Sequence, residues 1–132
     1  MEKVKYTVDE RVFRNDRGEL RIGYVTRLVA SEKVDEEKIL EKISKATGLG
    51  EVKISYILNE TANCMMKYLL NGSPVTIPHI GTFRLGLSSE AKVRKTDAGV
   101  KAMKMIRINY NPTLKMKKLT DLSNMAFKHV EM

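Results

Sequence analysis

Apolar and polar residues partly alternate over residues 4–13 (VKYTVDERVF) and 19–29 (ELRIGYVTRLV), both rich in β-branched and aromatic side chains. A period of two is that of a strand with one face covered. Between these runs lies NDRG, from Asn15 to Gly18, residue types that tolerate turn dihedrals. The pattern predicts an N-terminal β-hairpin.

At residue 35 the period changes. Asp35 stands as an N-cap before EEKILEKISKATG, in which Glu36 and Glu37 occupy the first turn and Gly48 ends the run. Leu40, Ile43 and Ala46, with Ile39 alongside, form a helical stripe. A second helix is predicted over 51–70, where Ile54, Ile57, Leu58, Thr61, Ala62, Met65, Tyr68 and Leu69 recur at steps of three and four. Asn71-Gly72 closes it, and the short turn at Leu49-Gly50 makes the pair a helical hairpin.

Alternation returns in NGSPVTIPHIGTFRLGLS, residues 71–88. Val75 and Ile77 share one face of a first strand; Phe83, Leu85 and Leu87 share one face of a second, with Gly81 at the corner. Residues 105–110 predict a third strand, with Ile106, Ile108 and Tyr110 on one face and Met105, Arg107 and Asn109 on the other. Pro112 opens a C-terminal helix through PTLKMKKLTDLSNMAFKHV.

Charge sharpens this picture. The 132 residues carry a formal net charge of +8, divided as +2 over 1–34, −1 over 35–72 and +7 over 73–132. The excess is concentrated in the last sixty or so residues, and a polyanion is the first partner to consider. Between Ser88 and Ile108 the cations Lys92, Arg94, Lys95, Lys101, Lys104 and Arg107 face only Glu90 and Asp97. Such an arm is suited to phosphates on both strands of a duplex. Arg94 and Arg107 are the better candidates for a narrow minor groove, because a planar, weakly hydrated cation suits it. Lys115, Lys117 and Lys118 are placed for flanking phosphates, and Arg84, on the polar side of its strand, can join them.

Other chemistries find little support. Hydrophobic content of 42% and charged content of 30% are those of a globular chain. Cys64 is the single cysteine, which excludes an intrachain disulfide and points to a reducing compartment; a buried, small apolar role is expected for it. No apolar leader or run of 18 apolar residues marks secretion or membrane spanning. His79 and His129 stand fifty residues apart without ligand-spaced partners, so no metal is expected. TGLGEV at 47–52 follows a helix rather than a strand, unlike a dinucleotide loop. No catalytic constellation is found, and neither a cofactor nor a small-molecule substrate is implied. The arm lacks the aromatics that stack single-stranded RNA.

The order of elements resembles the bacterial histone-like HU and integration host factor family. The residues that carry the resemblance are DEEKILEKISKATGL, the helix ending in LLNG, VTIPHIGTFRLGLSSE and IRINYNPTLKMKKL. It covers roughly residues 35–120. Residues 1–34 look like the added hairpin of an HU-like subgroup, with 35–132 as the DNA-binding domain. The implied fold is α+β: a helical hairpin, a three-stranded antiparallel sheet with an extended β-arm, and a short C-terminal helix, preceded by the N-terminal β-hairpin. The implied function is largely sequence-independent binding of double-stranded DNA, with bending or compaction, by an intertwined homodimer at the nucleoid in the cytoplasm.

Two departures stand out. No proline occurs in the arm, where the family carries one as a wedge, leaving Val93, Val100 and Met103 as the apolar candidates. Thr113-Leu114 replaces the Gly-Lys usual after the aromatic-x-Pro junction. A dimer is also expected from burial, since the helical hairpin covers only part of the strands' apolar face. The N-terminal hairpin covering that face instead would leave a monomer. The alternative function is a structural or protein-interaction module that does not bind DNA.

Overall fold

The computed structural model describes residues 3–131. Its two compact units are one built from the chain up to Glu36 together with the stretch from Asp121, and one spanning Glu37–Thr120.

The first unit is a three-stranded sheet. β1 (Val4–Arg14) and β2 (Leu20–Val29) pair antiparallel in one unbroken register. Their turn forms for a local reason: Asn15 Oδ1 accepts from the backbone N–H groups of Arg17 and Glu19, and Gly18 takes a φ of 77°. The third strand, β6 (Phe127–His129), pairs parallel with β1 at Val4, Lys5 and Tyr6. This overturns the expectation that residues 121–132 extend the last helix. Helical structure instead breaks into short 3₁₀ turns, Lys118–Thr120 and Leu122–Asn124, the second capped by the Asp121 carboxylate accepting from Ser123 N–H. Tyr6 holds the new strand from the side, meeting Phe127 edge-on and stacking on His129 at 5.2 Å.

The second unit opens with α1 (Glu36–Thr47) and α2 (Glu51–Leu70). Gly48 and Gly72, at φ 77° and 81°, stop the two helices as their positions predicted. β3 (Val75–Ile77), β4 (Gly81–Ser89) and β5 (Met103–Pro112) form an antiparallel sheet in that order. Its register sets Val75 and Tyr110 on either side of Phe83, Ile108 beside Leu85 and Ile106 beside Leu87, so the three predicted apolar faces merge into one. The tight corner divides its tasks. His79 takes the left-handed φ of 68°, whereas Gly81 is needed for room: a Cβ there would lie 2.4 Å from the Asn111 carbonyl oxygen.

Little of this apolar surface is covered within its own unit. Among the described residues Ile54, Leu69 and Ala102 are the buried apolar side chains, and Ile106 and Ile108 on the sheet are 61% and 64% exposed. Cys64 is exposed as well, contrary to expectation. It lines an open groove of about 370 Å³ between α2 and β3 with Tyr56, Ile57, Met65, Val75 and Ile77. Among the described residues no helix is long and apolar enough to cross a membrane.

Candidate nucleic-acid interface

The expected extended arm over 88–104 is not a ribbon. β4 and β5 stay paired to Ser89 opposite Met103, with a bulge after Ser88 that leaves Lys104 without an opposite residue. Beyond that point the chain turns through two 3₁₀ segments, Lys95–Asp97 and Val100–Ala102, with Gly99 between them at φ 93°. The physical reason is local. Residues 90–102 lack the alternation that lets two strand limbs bury a common face, and Asp97-Ala98-Gly99 supplies turn chemistry. Val93 and Val100 are exposed on this loop, while Ala102 is buried and its carbonyl accepts from Glu90 N–H at 2.9 Å.

Glu90 organises the loop's charge. Its carboxylate receives Lys92 Nζ at 2.8 Å and Lys104 Nζ at 3.3 Å, one from each limb. These two lysines hold the Glu90 carboxyl below its ordinary value, Lys92 contributing more. Arg94, Lys95 and Lys101 are exposed, and no ion pair engages them among the described residues. Of the six arm cations named from the sequence, three are therefore unpaired on the loop and two share one carboxylate.

The sixth, Arg107, lies on β5 in the body of the hairpin. The polar face there carries Arg84 opposite Asn109, Gly86 opposite Arg107 and Ser88 opposite Met105. Arg107 donates from Nη1 to Ser88 Oγ at 3.0 Å and from Nε to Asn109 Oδ1 at 3.2 Å. Gly86 makes the arrangement possible, because a Cβ there would lie 2.4 Å from Asn109 Nδ2. Two hydrogen bonds of this kind restrict a side chain that otherwise samples many rotamers. Ser88 and Asn109 were not singled out from the sequence, although their two-residue spacing from neighbours on each strand placed them on Arg84's face.

Lys115 and Lys117 stand on α3 (Leu114–Lys117), and Lys118 begins the 3₁₀ turn after it. Thr113 fixes this short helix. Its Oγ1 accepts from Met116 N–H and donates to the His79 carbonyl at 3.1 Å, and its own N–H donates to the Ile80 carbonyl at 3.1 Å. Tyr110 Oη donates to the same Ile80 oxygen at 2.9 Å. The threonine that departs from the family pattern thus ties the helix to the β3–β4 corner, and Pro112 ends β5 rather than opening the helix. Among the described residues no group of three or more His, Cys, Asp or Glu is placed to hold a metal.

Two consecutive helices, a small antiparallel sheet with a cationic loop and a second three-stranded sheet make this an α+β chain. Residues 1–128 match the HU-HIG family, described as an HU domain fused to wHTH, Ig or a glycine-rich motif, and the chain belongs to that family. No curated protein matches. Among solved structures, the fold is similar to the crystal structure of a candidate bacterial DNA binding protein from Bacteroides vulgatus ATCC 8482, with a TM-score of 0.70 at 12% identity. The match covers 98% of this chain and 49% of that one, so this chain spans about half its length.

Proposed function

We propose that the protein is a non-enzymatic, largely sequence-independent binder of double-stranded DNA, acting at the nucleoid of the cytoplasm. The observation that carries this reading is the cationic end of the β4–β5 hairpin. There Arg107 is held on an otherwise polar face, and Arg94, Lys95 and Lys101 project from the connected loop without carboxylate partners. With Arg84, Lys92, Lys104, Lys115, Lys117 and Lys118, these groups suit contacts to phosphate and groove shape rather than to particular bases. Membership in the HU-HIG family and likeness in fold to a candidate DNA binding protein support the same class. DNA binding is assigned to the HU-like part that follows the hairpin of residues 1–34.

The working form is a homodimer. A second chain covering the sheet face of Leu85, Ile106 and Ile108 and the groove of α2 would close a core that one chain leaves open. Two cationic loops then flank one duplex, and bending or compaction follows if the duplex wraps to meet both. The exposed Val93 and Val100 are the apolar side chains a distorted base step would meet first.

Titration of a fluorescent duplex of arbitrary sequence at several salt concentrations tests the proposal. The expected result is binding that weakens steeply with salt, and absence of binding at about 50 mM salt overturns it. Linear, nicked and four-way-junction DNA compared in one gel-shift series separates simple binding from shape preference. The pairing of Lys92 and Lys104 with Glu90 favours one other reading, a protein-interaction module that no longer binds DNA. A pull-down that survives nuclease treatment, with no DNA shift, selects it.

A further inference from the structure

The outer edge of β2 is an interaction surface that the DNA reading does not use. Asn15 N–H bonds to the Glu19 carbonyl at 3.0 Å, which makes residues 15 and 19 a hydrogen-bonded pair. Ladder bonds alternate along an antiparallel pair, so the odd-numbered residues of β2 bond to β1 and the even-numbered ones point their N–H and C=O groups outward. Leu20, Ile22, Tyr24, Thr26 and Leu28 therefore present their backbone groups at an edge, and in the sheet order β2-β1-β6 no strand among the described residues lies beside it. The side chains of Leu20, Ile22, Tyr24 and Leu28 are all at least 60% exposed on one face.

Exposed edges are normally blunted by proline, charged side chains such as lysine, a bulge or short length. The two charges of β2, Arg21 and Arg27, are paired within the chain to Glu19 and Asp9. β2 has ten residues, no proline, no lysine and no break in register. We infer that this edge pairs antiparallel with the β2 edge of a second copy, about a two-fold axis at Gly23. Charge selects both the occupant and the register. Centred on Gly23, Ile22 lies opposite Tyr24 of the second copy, a favourable β-branched and aromatic pair, and this occurs twice. Glu19 lies opposite Arg27 of the second copy, also twice, so each copy supplies both signs. Glu19 and Arg27 now meet Arg21 and Asp9 in exposed pairs that a closer partner can share. Centring on Tyr24 instead would set Arg21 against Arg27, and centring on Val25 would lose the ion pairs. The glycine also suits the axis: Phe13 lies across Gly23, its Cε1 2.7 Å from where a Cβ would stand, so both Phe13 rings come to one face beside the two-fold.

The pairing stands apart from DNA binding. If the dimer through the second unit also forms and engages a different chain, the assembly grows beyond two.

The test uses the full chain without DNA. Tyr24→Pro removes an outward N–H while leaving the β1–β2 ladder intact, and circular dichroism checks that it folds. With the second-unit face blocked by Ile108→Lys in both proteins, light scattering should show the chain carrying Tyr24→Pro at about half the mass of the chain without it. A second arm joins Arg21→Cys with Val25→Cys in a Cys64→Ser background. These positions face each other in a close non-hydrogen-bonded pair of the inferred register, so mild oxidation should cross-link two chains. Equal masses for Ile108→Lys with and without a folded Tyr24→Pro overturn the inference, as does absence of the cross-link. A partner of different sequence released by Tyr24→Pro, with the protein's own mass unchanged, also overturns it.

Discussion

Arg107 Nη1 reaches across the β4–β5 ladder to Ser88 Oγ at 3.0 Å, so an arginine of the return strand is held by a serine of the outgoing one. A held guanidinium spends less entropy on meeting a phosphate than a free one. Arg107→Ala should lower DNA affinity and reduce the salt slope by about one. Ser88→Ala keeps the charge, so its slope should match wild type while affinity falls by a smaller factor. Anisotropy titrations at four salt concentrations separate the two outcomes.

The loop cations act differently, as solvated point charges. Arg94→Ala, Lys95→Ala and Lys101→Ala combined should cut the slope by about three if all three meet phosphate. Thermal unfolding should hardly change, because no ion pair engages the three among the described residues.

Glu90 competes with phosphate for Lys92 and Lys104. Glu90→Gln removes that competitor, and duplex affinity should rise by about threefold to tenfold at low salt, more than exposed neutral substitutions elsewhere. The same carboxylate carries a pH signature. Its value in the folded chain is lowered from 4.5, first by Lys92 and then by Lys104. The stabilisation is therefore present above the unfolded value and disappears as pH falls through the folded one. An NMR titration of the Glu90 carboxyl should place its midpoint below 4.5.

The β3–β4 corner should be intolerant for a steric reason. Gly81→Ala drives a Cβ toward the Asn111 carbonyl oxygen, 2.4 Å away, and Tyr110 Cε1, 2.7 Å away. A loss of about 2 kcal/mol is expected in denaturant unfolding. Tyr110→Phe gives up one bond to the Ile80 oxygen at a partly exposed site, so about 0.5–1 kcal/mol should be lost.

Ile108→Lys tests the proposed dimer. The residue is 64% exposed in one chain, so the folded subunit should tolerate the charge. Sedimentation should then show the interface through the second unit lost while helix content is retained.

Much of the fold was legible because its signals are local. The Asn15–Gly18 turn, the helix stops at Gly48 and Gly72, and the strand faces of Phe83, Leu85 and Leu87 each follow from a few adjacent residues. β6 had no such signal. Three residues of unremarkable composition become a strand because β1, over a hundred positions earlier, offers an edge and Tyr6 offers a ring. The loop of residues 90–102 misled for a related reason: a run of cations resembles an arm whether or not its two limbs can pair.

The candidate site divides along the same line. Charge and alternation name Arg84, Arg107 and the lysines as candidates, because a side chain's charge and its strand face follow from the residue and its neighbours. Which cations are paired was decided by register and by the bulge at Lys104, which bring Glu90 between Lys92 and Lys104. The Thr113 clamp on His79 and Ile80 likewise exists only once β5 has returned beside β4. The chain's own order of residues determined the two long helices, the strand faces and where positive charge accumulates. Tertiary pairing alone decided which groups meet across long stretches of chain, since those contacts depend on loop closure and strand register rather than on any adjacent side chain.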